Sequence, residues 1–409
     1  SRSHTRSAAA VVAAALPTQR GQRGAIRRVF APWPSRQAQF VALHHSSSEM
    51  SSARVAPEPP AAEEPAPSTA ELTAPSTADV PYTSGCEQNV GDRRQQEDTF
   101  VQFDDLNKLV ADLAPSVGRD VRRAFWAVYD GFGGQSSSLW LKSHLHEHLV
   151  CHALFERDPA AALAAVFAEA DAKLLAYNAA RDAERGAGGG ANFVRTGSCA
   201  TVCLLVGNTL HVANVGDSRT VLYRRKGAPL MLTDEHKSSL ESERQRVAAA
   251  GGDTVQRTQE VPGVCCFPGK VEKLGPVRVQ PGGLAVSRAF GAGHAKLAEH
   301  GGKPGVVIHE PSVQRATLSA DDDLCLVLAS DGVWDNVKRL ADLSADLRTQ
   351  ILQAEQYRAV ARHAAEAVVG YALRHAVNEG QQDNTTALVV VLGAQAELAL
   401  SERRGGGDG

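Results

Sequence analysis

Two apolar runs, each closed by Asp-Gly, constrain this chain more than any other feature of its sequence. The first is Phe125-Trp126-Ala127-Val128-Tyr129-Asp130-Gly131, and the second runs from Leu324 to Ser330 and closes on Asp331-Gly332. Apolar runs of this length bounded by Gly read as buried strands. A carboxylate at the last residue of a buried strand is held rigidly at the rim of a core. Rigid, partly desolvated carboxylates repel one another unless something positive joins them, and a divalent cation is the usual solution. Asp-Gly is also a common turn, so the reading depends on whether other carboxylates gather at the same place.

With 409 residues the chain is long enough for one large domain or two average ones. A net charge of only -3 gives no sign of a nucleic-acid binder or a membrane-surface protein. That total conceals an asymmetry: residues 1–48 contain seven Arg and no acidic residue, so they carry +7 and the remainder carries -10. No segment approaches the ~18 consecutive apolar residues that a membrane span needs. The seven Cys are scattered without a Cys-x-x-Cys pair. That pattern favours a reducing compartment and buried thiols over a disulfide framework or a zinc site.

Residues 1–49 are rich in Arg, Ser and Ala, as transit peptides are, which predicts a mitochondrial or plastid protein. The competing reading is that Met50, the first Met, is the true start; the segment before it is then translated leader, and the protein is cytoplasmic or nuclear. Residues 50–81 are rich in Pro, Ala and Glu and are expected to form a disordered linker, because they bury too little apolar surface to offset ordering entropy. One folded domain is expected over 82–393 and a flexible tail over 394–409. Within the domain, strands are predicted at 99–103, 124–129, 200–206, 209–215, 220–224, 324–329 and 386–392. Helices are predicted at 135–152, 160–185, 239–250 and 341–378, with a loop-rich stretch at 253–283. Strands joined by short turns imply antiparallel sheets, and the amphipathic helices must cover their outer faces.

Seven carboxylates sit at strand ends or in strand turns: Glu97, Asp98, Asp130, Asp217, Asp331, Asp335 and Asp383. The start of one antiparallel strand lies beside the end of its neighbour, so all seven can gather on one edge of the sheets. Oxygen ligands without attending His or Cys suit Mg²⁺ or Mn²⁺ rather than zinc. Two such ions ~3.5–4 Å apart activate water for in-line displacement at phosphorus. Arg93, four residues before Glu97, offers the planar fork that holds a phosphate.

Six segments in order make the pattern specific. They are Arg93-x-x-x-Glu97-Asp98, Asp130-Gly131-x-Gly133-Gly134, Ala213-Asn214-Val215-Gly216-Asp217-Ser218-Arg219, Leu284-Ala285-Val286-Ser287-Arg288-Ala289-Phe290-Gly291, Ala329-Ser330-Asp331-Gly332-Val333-Trp334-Asp335 and Asp383-Asn384. Together they resemble the metal-dependent protein phosphatase 2C (PPM) family of serine/threonine phosphatases over about 82–393. The resemblance implies an α+β fold, a four-layer sandwich of two antiparallel sheets flanked by helices. It implies hydrolysis of phosphoserine and phosphothreonine in protein substrates by a water that bridges two Mg²⁺ or Mn²⁺ ions. By motif, Asp130 bridges the ions and the Gly131 carbonyl binds one. Glu97, Asp331 and Asp383 complete the pair, with Asp98 behind them. Asp217 and Asp335, with Asp331, match a weaker third site, and Arg93 matches the phosphate-binding arginine. The stretch 253–283, with Cys265, Cys266, Lys270, Lys273 and Arg278, falls where the family carries a variable flap beside the active site. A monomer without nucleic-acid partners is expected.

Two positions depart from the family pattern. Phe132 stands where the family usually has His, the proposed general acid for the leaving alkoxide, and Phe donates no proton. His294 or a water on an ion would then have to serve. Ala292 stands where the family commonly has Asp. Other signals are weaker. Cys151 and Arg157 have the spacing of a cysteine-phosphatase loop, but the residues between them continue a helix and offer no phosphate cradle. His144, His146 and His148 recur every second residue and are expected to fan out, solvated, over different helix faces. Phe132 is also the one support for a rival reading, a catalytically weakened pseudophosphatase that binds phosphoproteins as a scaffold.

Overall fold

The computed structural model describes residues 78–185, 192–261, 270–354, 359–376 and 382–405. The Arg-rich leader and nearly all of the linker lie outside the described residues, as do Cys265, Cys266 and the side chains of Lys270 and Lys273. In chain order the strands are β1 (Tyr82–Asn89), β2 (Thr99–Phe103), β3 (Arg123–Phe132), β4 (Gly197–Val206), β5 (Thr209–Val215), β6 (Arg219–Arg224) and β7 (Leu230–Met231). They continue with β8 (Asp253–Val261), β9 (Lys270–Gln280), β10 (Phe290–Gly291), β11 (Ser312–Thr317), β12 (Asp323–Ala329) and β13 (Thr385–Leu392). The helices are α1 (Asn107–Leu113), α2 (Ser136–Val150), α3 (Pro159–Arg185), α4 (Glu241–Ala249), α5 (Gly293–Lys296), α6 (Asp331–Trp334), α7 (Leu340–Leu352), α8 (Val360–Arg374) and α9 (Ala394–Gly405).

One sheet runs β1-β13-β12-β6-β7 and the other β11-β5-β4-β3-β2, with β10 added to β4. Every pairing within them is antiparallel. Side-chain alternation along the central strands builds the layers. In β3, Ala124, Trp126 and Val128 point into a core shared with Leu326, Leu328, Leu388 and Val390 of the opposite sheet. Their neighbours Phe125, Ala127 and Tyr129 point the other way, against Leu141 and Leu145 of α2 and Leu163 and Phe167 of α3. Across the sandwich, Val327, Val389 and Val391 pack under Leu347 of α7 and Ala364 and Val368 of α8. The order is therefore helices, sheet, sheet, helices. It also explains why the central strands read as continuous apolar runs: both faces of each are covered.

Several elements differ from expectation. β1 reads as polar, Tyr-Thr-Ser-Gly-Cys-Glu-Gln-Asn, yet it pairs with β13 from Tyr82–Leu392 to Asn89–Thr385. Pairing to a strong neighbour, rather than its own pattern, makes it a strand. The loop-rich stretch is instead a hairpin of β8 and β9, two strands bonded to each other in a sheet of their own. The helical region expected at 341–378 is two helices, α7 and α8. Part of the expected flexible tail is α9, which buries Ala396 and Ala399 against the outer face of the first sheet. His146 is buried rather than solvated: its ring lies 5.0 Å from Phe103 and 6.1 Å from Phe125, and burial lowers its pKa to about 4.

A buried ion pair ties α3 to the segment that carries β10 and α5. Lys296 Nζ donates to both carboxylate oxygens of Asp171 at 2.7 Å and to the Ala289 carbonyl at 2.7 Å. Gly291 N–H also donates to Asp171, at 2.7 Å, and His309 Nδ1 lies 3.1 Å from it. Removing one partner strands the other charge in a desolvated site, whereas an apolar pair of similar volume avoids the desolvation cost. Asp171→Ala is therefore expected to lower unfolding free energy by about 3–5 kcal/mol in a urea titration. The double variant Asp171→Leu/Lys296→Met should recover most of that loss.

Candidate metal centre

At one end of the sandwich the interior changes from apolar to polar. The inward parity of β3 that carries Trp126 and Val128 continues to Asp130, and that of β2 carries Asp98. From the facing sheet, Thr386 Oγ1 donates to Asp98 Oδ2 at 2.7 Å, and Thr386 N–H donates to Ser330 Oγ at 3.0 Å. Thr201 and Thr220 join their hydroxyls across the two sheets at 2.7 Å. The Thr386–Asp98 and Thr201–Thr220 bonds lock the two sheets together where the carboxylates meet, and the Thr386–Ser330 bond ties β13 to the end of β12 within one sheet.

The glycine after each key aspartate has a steric reason. A Cβ on Gly131 would collide with the carbonyl oxygen of Glu97, and one on Gly332 with that of Asn384. The chain entering β2 thus crosses directly over Asp130-Gly131, and the chain entering β13 crosses over Asp331-Gly332. Each Asp-Gly therefore brings a second carboxylate beside it, Glu97 in one case and Asp383 in the other. Asn384 braces this arrangement. It accepts from Glu97 N–H at 2.7 Å and donates to the carbonyls of Val90 at 2.9 Å and Gln95 at 3.1 Å.

Carboxylate oxygens of Asp130, Asp217 and Asp331 lie within 4.8 Å of one another. Burial, then the charge of Asp331, pushes Asp130 well above the usual carboxylate range; burial and Asp217 do the same to Asp331. Burial lifts Asp98 to about 6 against the lowering bonds from Thr386 and Ser330. Asp217 is also raised by burial, with Lys237 pulling it down. Glu97 accepts from Gly134 N–H at 3.1 Å and from Gln95 at 2.7 Å. Arg93 holds Asp383 at 2.5 Å. Asp335 faces Lys237 Nζ at 2.8 Å instead of opening onto the other carboxylates unopposed. A cleft of about 730 Å³ opens over the group, lined among others by Arg93, Arg94, Glu97, Asp130, Arg278 and Asp383. A crowd of buried oxygen donors, with its cations only at the edges, fits hard divalent ions.

A family model described as Protein phosphatase 2C matches residues 82–384. The chain belongs to the protein phosphatase 2C family. It is 34% identical over 283 residues to "Probable protein phosphatase 2C 7" of Oryza sativa, which covers 68% of this chain and 60% of that one. It is 33% identical to "Probable protein phosphatase 2C 11" of Arabidopsis thaliana, covering 76% and 67%. Human "Protein phosphatase 1E" is 34% identical over 60% of this chain, which spans only 27% of that protein's length. The fold is similar to that of serine-threonine phosphatase 2C from Toxoplasma gondii, with TM-score 0.54, 21% identity and coverage of 77% of this chain and 98% of that one.

Within this phosphatase 2C domain the structure brings Glu97, Asp98, Asp130, Gly131, Asp217, Asp331 and Asp383 to one end of the sandwich, with Arg93 at the cleft mouth. Other family segments act from behind. Ser287 and Arg288 bind Glu243 of α4, through Ser287 Oγ at 2.6 Å and Arg288 Nε at 3.0 Å. His294 does not reach the cleft. Its ring nitrogens lie against the carbonyls of Val194 (3.4 Å) and Gly282 (3.1 Å) instead of facing the carboxylates. Phe132 lines the cleft and packs with Leu284 and Val286. Ala292, the second departure, adopts φ 54°, the left-handed region that Asp and Asn tolerate better. Cys151 is exposed with its thiol pKa raised by burial of its surroundings and by Glu147, the opposite of a reactive thiolate.

Three contributors were not singled out by sequence. Asn384 was visible only as half of Asp383-Asn384. Cys199 places its Sγ 3.4 Å from Asp217 Oδ1, and Lys237 crosses to Asp335. Neither carries a local signal.

In the metal-free protein the raised carboxyls bind protons that the unfolded chain has already released. Stability contributed by those protons is present at low pH and is lost as pH rises, through about 6 for Asp98. His146, His148 and His236, lowered to about 4 by burial, give the opposite slope. Comparison with Asp130→Asn cancels the histidines. Asp98 stays buried in both proteins, so the difference reports the Asp130 carboxyl: chelator-treated wild type should lose stability relative to that variant as pH rises from about 4 toward 7 in urea unfolding. A difference that stays flat over this range would contradict the mutual repulsion.

Proposed function

We propose that this chain is a Mg²⁺- or Mn²⁺-dependent protein phosphatase acting on phosphoserine and phosphothreonine. The observation that carries the reading is the cluster of Asp130, Asp217 and Asp331 under a cleft whose mouth holds Arg93. Two ions would be held by Asp130 and the Gly131 carbonyl together with Glu97, Asp331 and Asp383, with Asp98 fixing the arrangement from beneath and Asp217 and Asp335 offering a weaker third site. When bound, such ions supply Lewis-acid charge neutralisation and nucleophile activation for in-line displacement at phosphorus.

The chain's own groups define the rest of the reaction. Arg93 is 57% exposed on its side chain and offers further N–H donors beyond the one on Asp383, so it can take a phosphate oxygen pair. Arg94 and Arg278, also on the cleft wall, favour approach of a dianion. Glu97 keeps its position through Gly134 N–H and Gln95, independent of substrate. Phe132 presents a hydrocarbon ring where a proton donor would assist a poor leaving group. No imidazole lines the cleft among the described residues.

Two outcomes follow. Purified protein should release phosphate from a phosphothreonine peptide only with Mn²⁺ or Mg²⁺, and Asp130→Ala should reduce that rate by about 10²-fold or more. Absence of metal-dependent release from both proteins would favour the scaffold reading. Aryl phosphates, whose leaving groups need little protonation, should be hydrolysed relatively faster than phosphoserine peptides. Phe132→His should raise the peptide rate selectively, by about 10²-fold if the acid acts with ordinary efficiency; equal rates in the variant and wild type for both substrates would refute a role for this position.

A further inference from the structure

Lys237 brings a cation to the acidic group on the Asp217 side. Its backbone is fixed on two sides. Lys237 pairs with Val286 in an antiparallel bridge, Ser238 N–H donates to Ala285 O at 2.8 Å, and His236 N–H donates to Gly216 O at 2.9 Å. The stem is thus clamped between the Gly216-Asp217 turn and the segment 284–287. From there Nζ lies 2.8 Å from Asp335 Oδ1 and 3.5 Å from Glu235 Oε1. Glu235 is already shared with Arg219 at 2.8 Å, so Asp335 is the closer and less committed partner. Burial works against the Lys237 charge, but Asp335, Asp217 and Glu235 together keep it firmly protonated.

We propose that Lys237 is a tethered competitor for the weaker third ion: its ammonium holds Asp335, and an ion gains that carboxylate only by displacing it. The inference rests on the reading that this acidic cluster binds divalent ions. The asymmetry of the site supports it. Asp130 and Asp331, at the centre, have no lysine or arginine bonded to their carboxylates among the described contacts, and their carboxylate oxygens lie within 4.8 Å of one another and of Asp217. Asp335, just past the end of α6, already has a counter-charge. An incoming ion at the centre relieves repulsion, whereas an ion at Asp335 must first expel a like charge. Two ions bound tightly and a third bound weakly is the consequence, set by one side chain that contributes no ligand.

Mn²⁺ binding to chelator-treated protein, followed through the electron paramagnetic resonance signal of free Mn²⁺, tests this without reference to turnover. Wild type should show a tight class and a weak class of ions. Lys237→Met should tighten the weak class roughly two- to fivefold, the worth of an exposed ion pair, and leave the tight class unchanged. Lys237→Arg, which keeps the charge, should behave as wild type. Asp335→Asn should weaken or abolish the weak class, and Lys237→Met should produce no gain in that background. If the Met variant lacks a cooperative unfolding transition, Lys237→Gln takes its place. An unchanged weak class in both neutral variants, or a gain that persists with Asp335→Asn, overturns the inference while leaving the two-ion reading intact. No tight ions in wild type, and no change with Asp130→Ala, overturns that reading and this inference with it.

Discussion

Repulsion among carboxylates enclosed at the end of a two-sheet core governs the design of this domain. Asp98, Asp130, Asp217 and Asp331 are all pushed toward protonation by burial and then by a neighbouring carboxylate: Asp383 for Asp98, Asp331 for Asp130, Asp335 for Asp217 and Asp217 for Asp331. A flexible scaffold would let them separate. Here they cannot, because Asp130 belongs to a strand buried on both faces and Asp331 follows directly from another. The cross-sheet bonds of Thr386 with Asp98 and of Thr201 with Thr220 hold the two sheets at the same spacing. Fixed repulsion of this kind is stored binding free energy for a divalent ion.

The placement of positive charge follows from that requirement. Arg93 meets Asp383 at the mouth and Lys237 meets Asp335 at the flank, so counter-charges stand at both edges and leave the centre open. Stronger ion pairs lie outside the site. Glu243, lowered to about 2 by its bonds from Arg288, Ser287 and Arg246 despite burial, anchors the segment beneath the cleft wall. Asp171 and Lys296 anchor the next stretch of the same segment to α3. Pairs that fix the scaffold are fully satisfied, whereas the carboxylates at the centre are not.

Legibility in the sequence tracked how locally each feature is determined. The strands at 124–129 and 324–329 were readable because burial on both faces demands an unbroken apolar run. Helices α2 and α3 were readable from their apolar spacing and composition. β1 was not, since a polar edge strand exists only through its pairing with β13. The hairpin of β8 and β9 gives little local signal for a related reason: its strands mix charged and apolar residues, and Val255 and Leu274 are exposed, so no continuous apolar run marks it. His294 looked available as an acid until the fold turned both its nitrogens toward backbone carbonyls.

By itself the sequence determined the inventory: which carboxylates close which strands, that Gly follows Asp130 and Asp331, that Phe rather than His follows Gly131, and that six segments occur in the order of one family. Those are properties of adjacent residues, and adjacency survives without a fold. Only the tertiary structure decided that Glu97 crosses over Gly131 and Asn384 over Gly332, that Cys199 faces Asp217, and that Lys237 rather than open solvent meets Asp335. Each of those depends on residues 18 to 98 positions apart being pressed together by the packing of two sheets. A close approach of that kind leaves no periodicity to read along the chain.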